Sequence, residues 1–180
     1  MDAVIVVDMQ KDFCYPDGAL YAGDEVKKIF SPLKQFLERA RDEVPIIFTQ
    51  DWHRKDDKEF KIWPPHCIMN TEGAEVIDEL EAREEDYYVR KRRYSAFYGT
   101  DLNLILRELK IDGLILAGVL TNICVLHTAA DAASRGYDVN LLKDCTIALS
   151  EYEYKYAIHH MRNVLNVKIT DSKSLEVKVD

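Results

Sequence analysis

One cysteine in this sequence lies where a nucleophile would be well placed. Cys124 follows the apolar run GLILAGV (113–119) and lies at the start of a segment with helical spacing, residues 122–135. A thiol near a helix N-terminus feels the positive end of the helix dipole, which stabilises the thiolate and raises its nucleophilicity. The same position also suits a small buried side chain, which is the commoner use of a reduced cysteine.

Two further side chains complete a set that can perform nucleophilic catalysis. Asp8 and Lys91 each end a short apolar run. Asp8 can accept the proton of Cys124, and Lys91 can pair with both the carboxylate and the thiolate. His127, three residues after the cysteine on the same helix face, offers a Cys–His dyad as an alternative. In an inert protein, Asp8 would cap a turn and Lys91 would be solvated.

A second group of residues has the types and spacing of metal ligands. Asp51 and His53 lie two residues apart in an extended or loop segment, and His66 can return to the same point through the loop of residues 51–73. One carboxylate and two imidazoles suit Zn²⁺, and also Fe²⁺ or Mn²⁺, with positions left for water or substrate. Loop histidines that bind no metal are a common alternative.

Short apolar runs alternate along the chain with segments of helical spacing. The runs that suit buried strands lie at residues 3–8, 44–51, 86–91, 113–119, 137–142 and 166–170, and the helical segments at about 24–42, 74–82, 100–110, 122–135 and 150–164. This alternation predicts an α/β protein, a three-layer Rossmann-like fold with a mostly parallel sheet of about six strands covered by helices on both faces. Ligands of such sheets bind beyond the carboxyl ends of the strands, where the catalytic and metal-ligand candidates fall.

Composition and cysteine usage exclude several classes of protein. The 180 residues carry 32 acidic and 24 basic side chains, a net charge of −8, which argues against nucleic acid or an anionic membrane as the main partner. No apolar run is long enough to span a bilayer, and the N-terminus does not resemble a signal peptide. The four cysteines form no CxxC pair and no dense disulfide framework. We therefore expect a single domain over residues 1–180 in the cytoplasm.

Five segments, in this order, resemble the signature segments of the isochorismatase-like cysteine hydrolases: VIVVDMQKDF, TQDWH, WPPHC…NTEGAE, KRRYSAFYGTDL and LAGVLTNICVLHTAADAASRGYDVNLLKDC. Within that superfamily the chain looks most like nicotinamidases and the related N-carbamoylsarcosine amidases. The resemblance implies that Cys124 is the nucleophile, Asp8 the general base and Lys91 the cation of a catalytic triad. It also implies a cis peptide bond between Val119 and Leu120, with the N–H groups of Leu120 and Cys124 forming an oxyanion hole.

The nicotinamidase branch implies further roles. Residues matching Asp51, His53 and His66 bind a divalent metal there, most commonly zinc, and aromatic residues matching Phe13 and Trp63 sandwich the substrate ring. The implied reaction is hydrolysis of a small amide or ureido C–N bond through a thioester, with release of ammonia. Relatives of this kind are homo-oligomers, so we expect a dimer or a tetramer.

Two alternatives to a nicotinamidase-like activity stay open. The arginines at positions 90, 92 and 93 can bind the carboxylate of an anionic substrate, as an N-carbamoylsarcosine amidase-related hydrolase would require. The alternative of another class is a non-catalytic α/β module that binds a partner through the same surface. Selective alkylation of Cys124 among the four cysteines would favour the catalytic interpretation.

Overall fold

The computed structural model describes residues 1–179, and its strands form one parallel sheet. The strands are β1 (Asp2–Val7), β2 (Ile46–Asp51), β3 (Tyr87–Lys91), β4 (Gly113–Val119), β5 (Asp138–Ile147) and β6 (Lys168–Thr170). The strand order is β3-β2-β1-β4-β5-β6, and every pair of neighbours is parallel. The predicted fold class is confirmed.

Helices of several kinds connect the strands within residues 1–179. The α-helices are α1 (Lys11–Cys14), α2 (Phe30–Ala40), α3 (Leu102–Glu108), α4 (Leu126–Ser134) and α5 (Glu151–Asn163). Shorter 3-10 helices lie at Asp24–Ile29, Lys58–Lys61, Glu72–Ala74 and Asp78–Leu80, and a π-helical turn at Thr121–Val125 leads into α4. No helix in the described part of the chain is long and apolar enough to cross a membrane.

The helix predicted over residues 74–82 is wrong, because the segment forms 3-10 turns and loop instead. Ile77 and Leu80 are both buried, and their three-residue separation is satisfied by one 3-10 turn. Glu81 then adopts a left-handed backbone conformation with φ of 48°, which ends the segment.

The buried strand β1 contributes alternate side chains to the two halves of the core. Ala3, Ile5 and Val7 pack in the cluster that contains the buried residues of α3, α4 and α5. Val4 and Val6 belong to the opposite cluster, which contains those of α2 and part of the long loop. Both faces of the sheet are therefore covered, and each fully buried valine or isoleucine stabilises the fold by about 1.5–3 kcal/mol.

The strand order reverses between β1 and β4, and this is the point where ligands bind in doubly wound sheets. Asp8 follows β1 and Cys124 follows β4, so the fold brings these two segments to one crevice. Gly118 allows the backbones of β1 and β4 to approach each other closely, since a Cβ atom at this position would clash with the carbonyl oxygen of Val7. Its φ of 108° is also a value that glycine adopts readily.

Candidate active site

The structure brings the three predicted triad side chains together in a buried cluster. The Nζ atom of Lys91 lies 2.7 Å from Oδ2 of Asp8 and 3.5 Å from Sγ of Cys124. Asp8 is fully buried, and Lys91 and Cys124 are 1% and 7% exposed. A thiol, a carboxylate and an ammonium group therefore share a site from which water is largely excluded.

Lys91 is held in its charged form by two carboxylates. Besides Asp8, its Nζ atom contacts Oδ1 of Asp51 at 2.6 Å and donates to the carbonyl oxygen of Arg93 at 3.0 Å. Burial acts to lower the pKa of Lys91, but Asp51 and Asp8 outweigh burial and hold that pKa well above its usual value. The cation is therefore fixed in place and does not give up its proton near neutral pH.

Asp8 has the properties of a base in an apolar environment. Burial raises the pKa of Asp8, with Lys91 opposing the rise and Asp51 adding to it. The hydroxyl of Thr49 donates to Oδ1 of Asp8 at 2.6 Å and also favours the ionised form. Thr49 was not predicted from the sequence, although a hydroxyl inside the otherwise apolar start of IIFTQD (46–51) is a signal for such a contact.

Cys124 lies in the π-helical turn before α4, as predicted for a residue at the start of a helix. Its pKa, however, is raised well above the usual value of a thiol, first by burial and then by Asp8, with Lys91 opposing the rise. The expected lowering of the thiol pKa is therefore wrong, because burial outweighs the neighbouring cation. The resting thiol keeps its proton until a base removes it.

His127 does not form the alternative dyad with Cys124. The histidine is exposed, and its Nδ1 atom lies 2.7 Å from the carbonyl oxygen of Ile123. Because a carbonyl oxygen only accepts hydrogen bonds, Nδ1 carries a proton and is committed to that contact. The Cys–His interpretation is wrong for this geometry.

The backbone near the nucleophile has the form that the resemblance implies. The peptide bond between Val119 and Leu120 is cis, which confirms that expectation. Leu120 and Cys124 both line the pocket described below. Their role as donors of an oxyanion hole stays a prediction.

Four side chains form a group suited to a divalent metal. The ligand atoms of Asp51, His53, Glu59 and His66 all lie within 4.8 Å of one another, and all four residues are buried. Oδ2 of Asp51 lies 3.6 Å from Nε2 of His53 and 3.7 Å from Nε2 of His66. Three of the four were predicted, and Glu59 is an addition.

One atom of this group indicates that it fits a metal ion. Nε2 of His53 is buried and has no hydrogen-bond partner among the described residues. An orphaned nitrogen of this kind costs about 1–3 kcal/mol unless a ligand satisfies it. Two imidazoles and two carboxylates are donors that zinc and other first-row divalent metals accept, so the residues present fit such an ion.

The pocket beside the thiol encloses about 570 Å³ of empty space, its open mouth included, which suits a small molecule. Phe13 and Trp63 line it together with Cys124, as the resemblance implies for substrate-binding residues. Nε1 of Trp63 donates to the hydroxyl of Tyr94 at 3.0 Å, so the indole plane is fixed. Tyr94, a further lining residue, was not predicted from the sequence.

The three arginines that the alternative, an anionic substrate, would use have other contacts. The guanidinium of Arg90 lies 4.1 Å from the centre of the Trp52 ring. Arg92 and Arg93 contact the buried carboxylate of Asp57 at 2.7 and 3.1 Å. None of the three arginines is among the described residues that line the pocket, which argues against a carboxylate-bearing substrate.

A parallel α/β sheet with a buried thiol, carboxylate and ammonium group at its switch point supplies the parts that a hydrolase with a cysteine nucleophile requires. The family model described as Isochorismatase domain matches residues 2–174 of this chain. This chain belongs to the isochorismatase family, and the predicted family is confirmed.

Solved structures of similar proteins agree with this assignment. A pyrazinamidase/nicotinamidase from Streptococcus mutans UA159 is 38% identical, with a TM-score of 0.89 over 94% of this chain and 100% of that chain. An N-carbamoylsarcosine amidase from Thermoplasma acidophilum is 35% identical, with a TM-score of 0.88 over 98% and 99% of the two chains. A pyrazinamidase of Pyrococcus horikoshii in complex with zinc is 34% identical, with a TM-score of 0.88 over 94% and 98%.

Proposed function

We propose that this protein is a nicotinamidase-like cysteine amidohydrolase that cleaves the C–N bond of a small, uncharged aromatic amide. The observation that carries the proposal is the position of Lys91, whose ammonium group contacts Asp8 and lies 3.5 Å from the thiol of Cys124. Asp8 and Cys124 line a pocket whose other walls are mainly aromatic and aliphatic side chains. The similarity to nicotinamidases and pyrazinamidases supports the amide class of substrate.

The first half of the reaction forms a thioester. Asp8 takes the proton of Cys124 while the sulfur attacks the amide carbonyl carbon, and the developing oxyanion accepts hydrogen bonds from the N–H groups of Leu120 and Cys124. Each donor of this kind contributes about 3 kcal/mol where it has been tested. The C–N bond then breaks, and the leaving nitrogen takes the proton from Asp8 and departs as ammonia.

The second half regenerates the enzyme. Asp8 removes a proton from a water molecule, whose oxygen attacks the thioester carbonyl and breaks the C–S bond. The thiolate of Cys124 takes the proton back from Asp8, and a carboxylic acid is released. Lys91 keeps its charge throughout and stabilises each anion in turn, because its raised pKa prevents it from acting as the acid.

We further propose that Asp51, His53, Glu59 and His66 hold a divalent metal, with zinc as the first candidate. The orphaned Nε2 atom of His53 and the zinc complex of the Pyrococcus relative support this proposal. When bound, such an ion would act as a Lewis acid toward a ring nitrogen of the substrate, directly or through water. Asp51, Glu59 and His66 also line the pocket, so these side chains can reach a molecule that lies beside Cys124.

The pocket favours an uncharged ring over an anion. Phe13 and Trp63 offer aromatic faces to a planar ring. No arginine or lysine is among the described lining residues to pair with a carboxylate of the substrate. These features support nicotinamide-like amides over N-carbamoylsarcosine.

The experiment that tests the proposal measures ammonia release from nicotinamide and from N-carbamoylsarcosine in parallel, with metal-replete protein. Cys124→Ala is the catalytic variant, and Cys145→Ala, which removes another buried thiol, is its matched control. We expect release from nicotinamide that Cys124→Ala abolishes and Cys145→Ala retains. Full activity of Cys124→Ala would end the proposal, and release from the carbamoyl compound alone would contradict the proposed substrate class.

The remaining expectations concern organisation. We propose one hydrolase domain over residues 1–180 that assembles as a homo-oligomer, and the cytoplasmic location stays a prediction. Size-exclusion chromatography with light scattering tests the assembly, and a monomeric mass across the working concentration range would contradict it.

A further inference from the structure

A fully buried carboxylate lies behind the proposed metal group and is not one of its ligands. The side chain of Asp57 has no solvent exposure. Its oxygens contact four donors: Nδ1 of His53 at 3.1 Å, the backbone N–H of Glu59 at 3.1 Å, Nε of Arg92 at 2.7 Å and a terminal nitrogen of Arg93 at 3.1 Å. Two of these donors belong to residues of the proposed metal group.

The contact with His53 decides which ring nitrogen can bind a metal. A carboxylate at Nδ1 keeps the proton on that atom, which leaves a lone pair on Nε2. Nε2 of His53 is the buried atom that has no hydrogen-bond partner among the described residues, and it lies 3.6 Å from Oδ2 of Asp51. By keeping the proton on Nδ1, Asp57 leaves the lone pair of His53 Nε2 directed toward the other ligand atoms of the group.

The contact with Glu59 fixes a second member of the group. Asp57 is the N-cap of the 3-10 helix Lys58–Lys61, and its Oδ1 accepts the backbone N–H of Glu59. This capping bond holds the backbone of Glu59 at the start of the helix, next to the metal group. Oε1 of Glu59 then lies 3.9 Å from Nε2 of His53.

Two arginines compensate the charge of the buried carboxylate. Nε of Arg92 donates to Oδ2 of Asp57 at 2.7 Å, and a terminal nitrogen of Arg93 donates to Oδ1 at 3.1 Å. Arg92 and Arg93 are 48% and 40% exposed, so they bring positive charge from the surface to a group that water does not reach. An uncompensated carboxylate in that position would be strongly destabilising.

We infer that Asp57, held by Arg92 and Arg93, is a positioning residue that orients His53 and Glu59 toward one divalent cation. The inference rests on the proposed metal site and assigns a function to the arginines that the sequence singled out. Since these arginines directly follow Lys91 in the chain, the end of β3 supplies both the catalytic cation and the support of the metal group.

The test measures metal affinity of the full chain, without reference to hydrolysis. The dissociation constants for Zn²⁺ and Co²⁺ are obtained by competition with a chromophoric chelator, and the visible absorption of bound Co²⁺ reports the ligand field. Asp57→Asn is the variant, and Asp56→Asn is the matched control, since Asp56 pairs with Arg54 at the surface. We expect Asp57→Asn to weaken binding about 10–100-fold and to alter the Co²⁺ spectrum, and Asp56→Asn to stay within about twofold of the wild type.

Further variants separate positioning from folding. Circular dichroism and thermal unfolding of the metal-free proteins show whether Asp57→Asn folds. If Asp57→Asn does not fold, Arg92→Gln, which changes an exposed side chain, is the second variant, and we expect it to weaken metal binding as well. Wild-type metal affinity in a folded Asp57→Asn variant, or in Arg92→Gln should Asp57→Asn not fold, would overturn the inference while leaving the metal site intact. If the wild-type protein binds neither ion, or if His53→Ala leaves the metal affinity unchanged, the proposed metal site and this inference are both wrong. The hydrolytic activity is tested separately by Cys124→Ala.

Discussion

The ammonium nitrogen of Lys91 lies 2.6 Å from Oδ1 of Asp51. Because the same nitrogen contacts Asp8, one buried cation joins the proposed catalytic base to the proposed metal ligands. The other oxygen of Asp51 faces the two histidines of the metal group. We therefore expect stability, base strength and metal binding to be coupled through this single side chain.

Replacing Lys91 by methionine keeps the length of the side chain and removes the charge. Two buried carboxylates, Asp8 and Asp51, would then lose their shared partner, so we expect the free energy of unfolding to fall by about 3–5 kcal/mol. We expect kcat/KM to fall by at least about 10²–10³-fold, since a preorganised charge is lost. Urea unfolding and ammonia release measure the two effects. Lys143→Met is the control, because its ion pair with Asp171 is half-exposed and contributes less than about 1 kcal/mol; equal effects of the two variants would contradict the coupling.

Thr49→Val tests the base. The Thr49 hydroxyl stabilises the ionised form of Asp8, whose pKa is nevertheless raised above its ordinary 3.8 by burial. Removing the hydroxyl raises that pKa further, and Asp8 must be ionised to accept a proton. We therefore expect the acidic limb of the pH profile of kcat/KM to move to higher pH. In the wild type this limb already lies above pH 3.8, because the pKa of Asp8 is raised. Thr128→Val, which removes a buried hydroxyl bonded to the backbone of Ala96, should leave the limb in place; a shift to lower pH in Thr49→Val would exclude Asp8 as the base.

Alkylation tests the protonation state of Cys124, the proposed nucleophile. Cys124 is the one of the four cysteines that lines the pocket, so we expect iodoacetamide to label it first. Because its pKa lies well above 9.0, the thiolate fraction and the labelling rate should rise about tenfold per pH unit from neutral pH to pH 9. Mass spectrometry of peptides from a time course measures the rate. A rate that is already constant at neutral pH would mean that the resting residue is a thiolate.

Much of this site follows from where residues stand relative to strand ends. Asp8, Asp51 and Lys91 follow or end buried runs, and the carboxyl ends of parallel strands meet at one edge of a sheet, so their convergence could be predicted. The strands could be recognised as short continuous apolar runs, because a sheet covered on both faces buries the side chains of both faces. The helix predicted over residues 74–82 failed because two buried positions three residues apart do not distinguish a 3-10 turn from an α-helix.

The residues that were missed are those whose burial depends on the loop. Asp57 and Glu59 lie in the charged stretch DDKEFK (56–61), which has the composition of a solvated surface. Their burial arises from long-range contacts, since Arg92 meets Asp57 across 35 positions of sequence. No local periodicity reports such a pairing, so the sequence offered only an anionic substrate, as an alternative, for the arginines.

Glu59→Gln tests whether the fourth member of the metal group is a ligand. The amide keeps the volume and loses the charge, so we expect the dissociation constant for Zn²⁺ to rise by more than the roughly 10–100-fold that loss of an outer-shell partner produces. Chelator competition measures it. Glu72→Gln is the control, because Glu72 is exposed and contacts Lys11 at the surface. Unchanged zinc affinity in Glu59→Gln would leave Asp51, His53 and His66 as the ligand set.

Tyr94→Phe tests whether the wall of the pocket depends on one hydrogen bond. The Tyr94 hydroxyl accepts from Nε1 of Trp63, and its loss leaves the indole free to turn away from the substrate ring. A net hydrogen bond contributes about 0.5–1.5 kcal/mol, so we expect KM for nicotinamide to rise roughly two- to tenfold with little change in kcat. Trp63→Ala should raise KM further, because it removes the aromatic face itself. Tyr98→Phe, at a side chain that is 68% exposed, is the control and should leave both constants unchanged. A fall in kcat without a change in KM would place Tyr94 at the reacting atoms instead of the ring-binding wall.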